Sequence, residues 1–298
     1  MNYQKLTQKE HILKRPGMYI GSTESSEITV YNYINNEMVQ DISKVPMGVM
    51  KLVNEAIDNA KDNIPRSIDL GKKQSYIKIN VENKKLTVSN DGHCVPVKTN
   101  EQGEMIPEFV FGTLLTGSNY DDTVTRTSIG TNGLGIKLAV IFSKYFSVRI
   151  HDPENKKEYF QEFIDSEPKE PEIKKYNKKT SMVEVTFELN ESYFGDYSSE
   201  DFFTRINTIA VSTAMLVNPV KVYFNGELLK VKSRLEYFQM YDPDIIGVNL
   251  DTPLGPWFIG AGIKKSSESI SFVNGSETIR GGKHVNYFVS RIVKILCE

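Results

Sequence analysis

Cysteine is scarce in this 298-residue chain, which carries only Cys94 and Cys297, far apart in sequence. Two distant cysteines build no disulfide scaffold and fit a reducing interior. Histidine is rare as well, with four copies, and neither residue type falls at zinc-site spacing. No run approaches the roughly 20 apolar residues that cross a bilayer, so no membrane partner is expected. The first ten residues are polar and lack the apolar core of a secretion signal. Positive charge is not in surplus either: 36 Lys and Arg stand against 38 Asp and Glu, a net charge of −2. A dedicated DNA-gripping module is usually basic, so this chain alone is not expected to hold DNA tightly. That leaves open a role in a larger DNA machine. Internal repeats and long low-complexity runs are absent. What remains, 39% hydrophobic and 25% charged residues, is the balance of a globular protein of one large or two modest domains.

The polar residues 3–14, followed by Pro16, Gly17 and Gly21, read as a turn-rich arm. Val49, Leu52, Val53, Ala56, Ile57 and Ala60 recur at helical spacing, which predicts a helix over residues 47–63 with Pro65 just beyond its end. Residues 76–81 and 85–89 alternate like two strands joined by a turn. A helix is expected over 108–115, a mobile loop over 120–135 and a helix over 136–142. Strands follow over 145–150, 158–164 and 182–189, with 169–179 as a charged surface loop. A helix over 201–217, a strand over 220–224, further strands around 257–263 and 270–273, and a helix over 285–296 complete the pattern. That last helix reaches the end of the chain without a cap, which is the expectation for a fragment.

Three stretches carry chemistry. Glu55 and Asn59 are an i, i+4 pair, so they share one helix face about a turn apart. A carboxylate beside an amide oxygen suits a water-activating base next to a Mg²⁺ ligand, and equally suits an ordinary surface pair. Asn90-Asp91-Gly92 ends a strand; Asn can pair with both the donor and the acceptor of adenine, although Asn-Asp-Gly is also a common turn. Gly130, Thr131, Asn132, Gly133, Leu134, Gly135, Ile136 and Lys137 open a helix. Glycines let successive N–H groups converge on phosphate, and Lys137 adds a charge there. A merely flexible glycine loop fits these residues too. A P-loop is excluded because Leu138 follows Lys137, and no βαβ unit supports a dinucleotide fold.

In order and spacing the three stretches together resemble the ATP-binding family shared by gyrase-type topoisomerases, heat-shock chaperones, sensor histidine kinases and mismatch-repair clamps. Glu55-Ala56-Ile57-Asp58-Asn59 matches its first motif, and Asn90-Asp91-Gly92-His93-Cys94 its adenine motif. Cys94 stands there in place of a second glycine. Within the family the chain is similar to type II topoisomerases along nearly its whole length. The likeness is carried by Tyr3 to Gln8, Glu10 to Leu13 and Arg15-Pro16, by Leu114 to Asp122, by Ser271 to Asn274 and by Gly281 to Val285. Gly17 to Gly21 is similar to the bacterial enzymes, and the arm and the Leu114-Leu115-Thr116 segment to the eukaryotic, viral or phage type, a mixture that points to a virus or phage.

The resemblance implies an α+β fold. It would be a Bergerat-type two-layer sandwich, a mixed sheet with helices on one face, followed by the start of a transducer domain. It implies an arm over 1–22, an ATP-binding domain over 23–231 and part of a transducer over 232–298. ATP and Mg²⁺ are the implied cofactors. Glu55 would be the general base, Asn59 the metal ligand and Asn90 the adenine reader, with Ser181 reaching adenine through water. Gly117, Ser118 and Asn119 would lie at ribose and phosphate, Gly117 standing where relatives often have serine. Gly130 to Gly135 would form the lid, with Ile136 and Lys137 at the phosphates. Tyr3 would reach the nucleotide of a partner subunit. The implied function is an ATP-hydrolysing gate that closes as a homodimer and drives DNA strand passage through a longer enzyme. Its further partner would be a downstream cleavage domain or subunit, and its location intracellular: cytoplasm, nucleoid, nucleus or virus factory. The family's Gln-Thr-Lys loop and cleavage tyrosine are not found here, so no DNA cleavage is expected of this chain and its hydrolysis is expected to be weak. An ATP-responsive repair or chaperone clamp with little hydrolysis is the alternative; a histidine kinase would need a phospho-acceptor helix that the short arm around His11 does not provide.

Overall fold

The computed structural model describes residues 5–112, 134–197, 200–252, 255–263, 268–278 and 281–297. The arm is more ordered than its composition suggests. Thr7 and Glu10 form a reciprocal capping box that starts helix α1 (Gln8–Lys14), and Ile12 is fully buried. A short 3₁₀ turn, Pro16–Met18, follows. Next comes a hairpin absent from the sequence-based expectation, β1 (Ile28–Ile34) and β2 (Glu37–Ser43). Its ties to the body include Tyr33 N–H, which donates to Thr208 Oγ1 at 2.8 Å, and Arg205, which donates to the Tyr31 carbonyl at 2.6 Å.

Helix α2 (Met47–Asp69) is longer than the expected 47–63 and carries Pro65 inside it. A proline interior to a helix costs about 3 kcal/mol. Burial of Val49, Leu52, Val53, Ile57 and their neighbours far exceeds that at about 1.5–3 kcal/mol per large side chain. Past the proline, buried Ser67 donates to the Asn63 carbonyl at 2.7 Å and holds the last turns down.

β3 (Tyr76–Glu82) and β4 (Lys85–Asn90) form the expected hairpin. α3 (Ile106–Gly112) occupies the described part of the expected 108–115 helix, and α4 (Gly135–Phe142) begins one residue early. The expected loop over 120–135 lies outside the described residues up to 133. β5 (Ser143–Asp152), β6 (Lys157–Ile164), β7 (Glu167–Pro168), β8 (Glu172–Lys175) and β9 (Met182–Leu189) complete the sheet's far side. The stretch read as a loop over 169–179 therefore contains an edge strand, β8, paired with β6. All four of its residues are exposed, so it lacks the apolar alternation that marks a strand. After a short turn, α5 (Glu191–Phe194), come α6 (Glu200–Val217), β10 (Lys221–Phe224) and β11 (Glu227–Leu228).

The nine-stranded sheet runs β11-β10-β3-β4-β9-β5-β6-β7, with β8 also on β6. It is mixed: β10 lies parallel to β3 and the other described pairs are antiparallel. Alternate residues such as Ile77, Ile79, Val88, Val185, Phe187, Phe146 and Val148 are buried on the face that α2, α4 and α6 cover. The remainder comprises α7 (Arg234–Gln239), the hairpins β12 (Ile246–Thr252) with β13 (Gly255–Ala261) and β14 (Phe272–Val273) with β15 (Ser276–Glu277), and α8 (Lys283–Cys297). The Phe272 ring packs on Tyr237 and Phe238, and Lys61 of α2 donates to the Gly275 carbonyl at 2.6 Å.

Candidate functional site

The helix pair α2 and α4 packs side by side, and the ends of β4 and β9 lie beneath. Glu55 is partly buried on α2 and pairs with Lys51 one turn back. Its carboxylate rests on the backbone of Gly135, the first residue of α4. A β-carbon at Gly135 would overlap the Glu55 carboxyl group, so a side chain there would displace the carboxylate from this position. Leu134 is the N-cap residue of α4, and it makes no side-chain cap. Unpaired N–H groups in a first helical turn attract anions. Asn59 is exposed one turn along α2 from Glu55. Between them Asp58 is tucked in and ion-paired with Lys61 at 2.6 Å; burial pushes its carboxyl above the usual range, against the pull of Lys61.

Ile136 and Lys137 are both buried in α4, with Lys137 only 3% exposed. Burial lowers the Lys137 ammonium to about 8. A lysine in that range gains by meeting a negative group.

The strand-end turn is built more firmly than its Asn-Asp-Gly sequence suggests. Asn90 is buried and donates to the Asp91 carbonyl at 2.9 Å, and its side-chain oxygen accepts no bond among the described residues. The Asp91 carboxylate accepts from Ser75 N–H at 2.7 Å, from Tyr76 N–H at 3.0 Å and from the Ser75 hydroxyl. It holds the turn and is not free for a ligand. Gly92 has φ +94°, and a β-carbon there would stand 2.5 Å from Ser67 Oγ. Cys94 does not share that left-handed backbone, which is why a side chain is accommodated where the motif has its second glycine. Burial pushes the Cys94 thiol up to about 12. The Ser181 hydroxyl donates to the Gly92 carbonyl, so Ser181 stands directly over the turn.

Sequence reasoning missed the clamp beneath. Asn63 Nδ2 contacts Gln74 Oε1 at 2.9 Å, the His93 carbonyl at 3.0 Å and the Asp91 carbonyl at 3.2 Å. Ser67 Oγ accepts from His93 N–H at 2.8 Å. His93 is held neutral-leaning by burial and by Lys72 and Arg66, and its Nδ1 is buried without a partner among the described residues. One signal was available: Glu55, Asn59, Asn63 and Ser67 recur every four residues, a polar stripe along α2. Ending the helix before Pro65 concealed it. Tyr3, Gly117, Ser118, Asn119, Gly130, Thr131, Asn132 and Gly133 lie outside the described residues. The structure thus brings together Glu55, Gly135 and the α4 start, and separately Asn90, Gly92 and Ser181. Among the described residues no cluster of three His, Cys, Asp or Glu could hold a metal.

A mixed sheet with its helices on one face, and glycine-lined polar groups where α2, α4 and the strand ends meet, defines the Bergerat-type α+β class. No family model matches the chain. It is 37% identical to DNA topoisomerase 2 of Arabidopsis thaliana over 305 residues, covering 97% of this chain and 20% of that protein. Among solved structures it is similar to the ATPase region of Saccharomyces cerevisiae topoisomerase II, with TM-score 0.92, 33% identity, and 99% of this chain and 80% of that one covered. The ATPase and transducer domains of DNA topoisomerase II from Balamuthia mandrillaris follow, with TM-score 0.88, 30% identity and coverage of 98% and 76%. The chain belongs to the type II DNA topoisomerase family and corresponds to its ATPase region. It spans about a fifth of the length of the curated relatives it matches.

Proposed function

We propose that this chain is the ATP-binding and hydrolysing gate of a type II DNA topoisomerase, closing as a homodimer on ATP and coupling closure to DNA strand passage. The observation that carries the reading is the contact of Glu55 with Gly135. It sets a carboxylate at the N-terminus of α4, two groups far apart in sequence whose proximity suits water attack on a terminal phosphate. Glu55 accepts the proton of the attacking water, and Lys51 orients its carboxylate. Lys137 and the first N–H groups of α4 face the phosphate charge. Asn90 reads adenine through its side-chain amide, with Ser181 setting the position of Gly92.

Asn59 fits a metal position because its amide is exposed beside Glu55. With no carboxylate cluster among the described residues to share the load, Mg²⁺ would be held by Asn59, phosphate oxygens and water, and would neutralise phosphate charge. Tyr3, Gly117, Ser118, Asn119 and the lid from Gly130 to Gly133 belong to the same reading. So does a division into an arm over 1–22, an ATP-binding domain over 23–231 and the first part of a transducer over 232–298. DNA cleavage would belong to a domain or subunit downstream. No described helix is long and apolar enough to cross a membrane.

The test is Glu55→Ala. It should bind ATP as the parent does and lose about 10²–10⁴-fold in turnover. Equal loss of binding and turnover would make Glu55 a structural residue and sink the assignment.

A further inference from the structure

We propose that the lysine-rich end of the β5–β6 hairpin, together with edge strand β8, is a sequence-independent contact surface for the phosphate backbone of duplex DNA. The proposal rests on the reading of this chain as part of a DNA-passing enzyme. Lys157 of β6 lies directly across from Lys175 of β8. Like charges facing each other across a pair of strands repel, so this pairing invites a counter-anion. Lys156, in the turn, takes a left-handed backbone with φ +53°, where glycine or asparagine would fit with less strain. Lys178 and Lys179 extend the same positive surface and are exposed, as are Lys156 and Lys175.

Several neighbouring carboxylates are engaged elsewhere. Glu154 is taken by Lys72 at 2.6 Å, Glu158 by Arg149 at 2.6 Å and Glu172 by Lys174 at 2.7 Å. Asp152 is spent on the backbone, accepting from Val97, Glu154 and Asn155 N–H groups. Among the described residues Lys156, Lys157, Lys175, Lys178 and Lys179 form no ion pair. On a chain of net charge −2 this is a local concentration of positive charge, not a share of a general surplus.

The frame beneath is rigid. Tyr176 is buried, stacks on His151 with ring centroids 4.5 Å apart, donates to the Thr180 carbonyl at 2.8 Å and gives its N–H to the Lys156 carbonyl at 2.9 Å. Five ammonium groups on a fixed scaffold suit phosphates, which position a duplex without specifying sequence. An acidic protein segment is the competing anion.

The test is binding of a fluorescent duplex DNA of arbitrary sequence across a salt series. The chain itself is compared with a patch variant carrying Lys156→Gln, Lys175→Gln and Lys179→Gln. A control of equal charge loss carries Lys221→Gln, Lys230→Gln and Lys232→Gln, all exposed on the sheet's opposite end. The patch variant should lose at least tenfold in affinity at low salt. Its slope of log affinity against log salt should flatten by about 2 to 3, near 0.9 per phosphate contact removed. Equal losses in both variants, or none in either, would overturn the proposal, as would polyglutamate competing as well as DNA at equal charge. Binding of an ATP analogue, measured on the same proteins, should be unchanged in both variants. Its absence in the parent would defeat the nucleotide reading while the DNA result stood by itself.

Discussion

Glycine at position 135 determines where the Glu55 carboxylate can sit. Any side chain there must push Glu55 away, so Gly135→Ala should reduce turnover by at least about 10²-fold while nucleotide affinity changes much less. Steady-state kinetics beside calorimetry separate the two; a matched fall would place Gly135 in binding alone. Lys137 yields a pH prediction. In the free protein its ammonium is lowered to about 8 by burial, so it is charged below that pH and loses its proton above it. Phosphate favours the charged form. Affinity should therefore be level below about pH 8 and fall as pH rises through that value, with proton uptake visible as a buffer-dependent binding heat. Lys137→Met should bind more weakly and without that pH dependence. If the parent shows no proton uptake on the alkaline side of that transition, Lys137 does not meet the nucleotide.

At the scale of elements, α2 is both a core helix and the spine of the site. Its apolar stripe was legible from Val49 to Ala60, because a 3.6-residue period is a local property. Its last six residues were not. A proline argues for an end there, whereas the docking of Asn63 and Ser67 on the 90–94 turn helps carry the helix past it. Asn63→Ala should remove the amide that contacts Gln74 Oε1 and the Asp91 and His93 carbonyls and destabilise the fold by about 1–3 kcal/mol. Urea denaturation should show a lower midpoint, and, if the 90–94 turn meets adenine, affinity for an ATP analogue should drop as that turn loosens. An unchanged affinity would detach this clamp from the nucleotide site. The strand β8 illustrates the opposite difficulty. Main-chain pairing with β6 makes it a strand, and a row of exposed Glu, Ile and Lys conceals that from any pattern of hydrophobicity.

For the whole molecule, linkage makes the central prediction. If nucleotide contacts both subunits, a non-hydrolysable ATP analogue must shift this chain from monomer to dimer. Deleting residues 1–9 should abolish that shift and leave monomer binding measurable, as followed by light scattering. The deletion takes Tyr3 and the Lys9–Glu167 ion pair but spares Ile12 and Ile20, which are buried in the body. Equal dimerisation of both forms would end the arm-exchange idea and leave the ATP site untouched.

By itself the sequence determined the pieces that depend on near neighbours: the i, i+4 pair of Glu55 and Asn59, the β3–β4 hairpin, strand β9 to the residue, and the family resemblance carried by motif order. Two distant cysteines and four scattered histidines supply no zinc-site or disulfide spacing, and no run is long and apolar enough for a membrane helix. Only the tertiary structure decided that Gly135 lies on Glu55, that Ser181 stands on Gly92, that Asn63, Ser67 and Gln74 brace the 90–94 turn, and that five lysines gather without an ion pair among the described residues at one sheet edge. These contacts join segments tens of residues apart. Their existence depends on how helices seat on the sheet and how strands are ordered within it, which no local periodicity encodes.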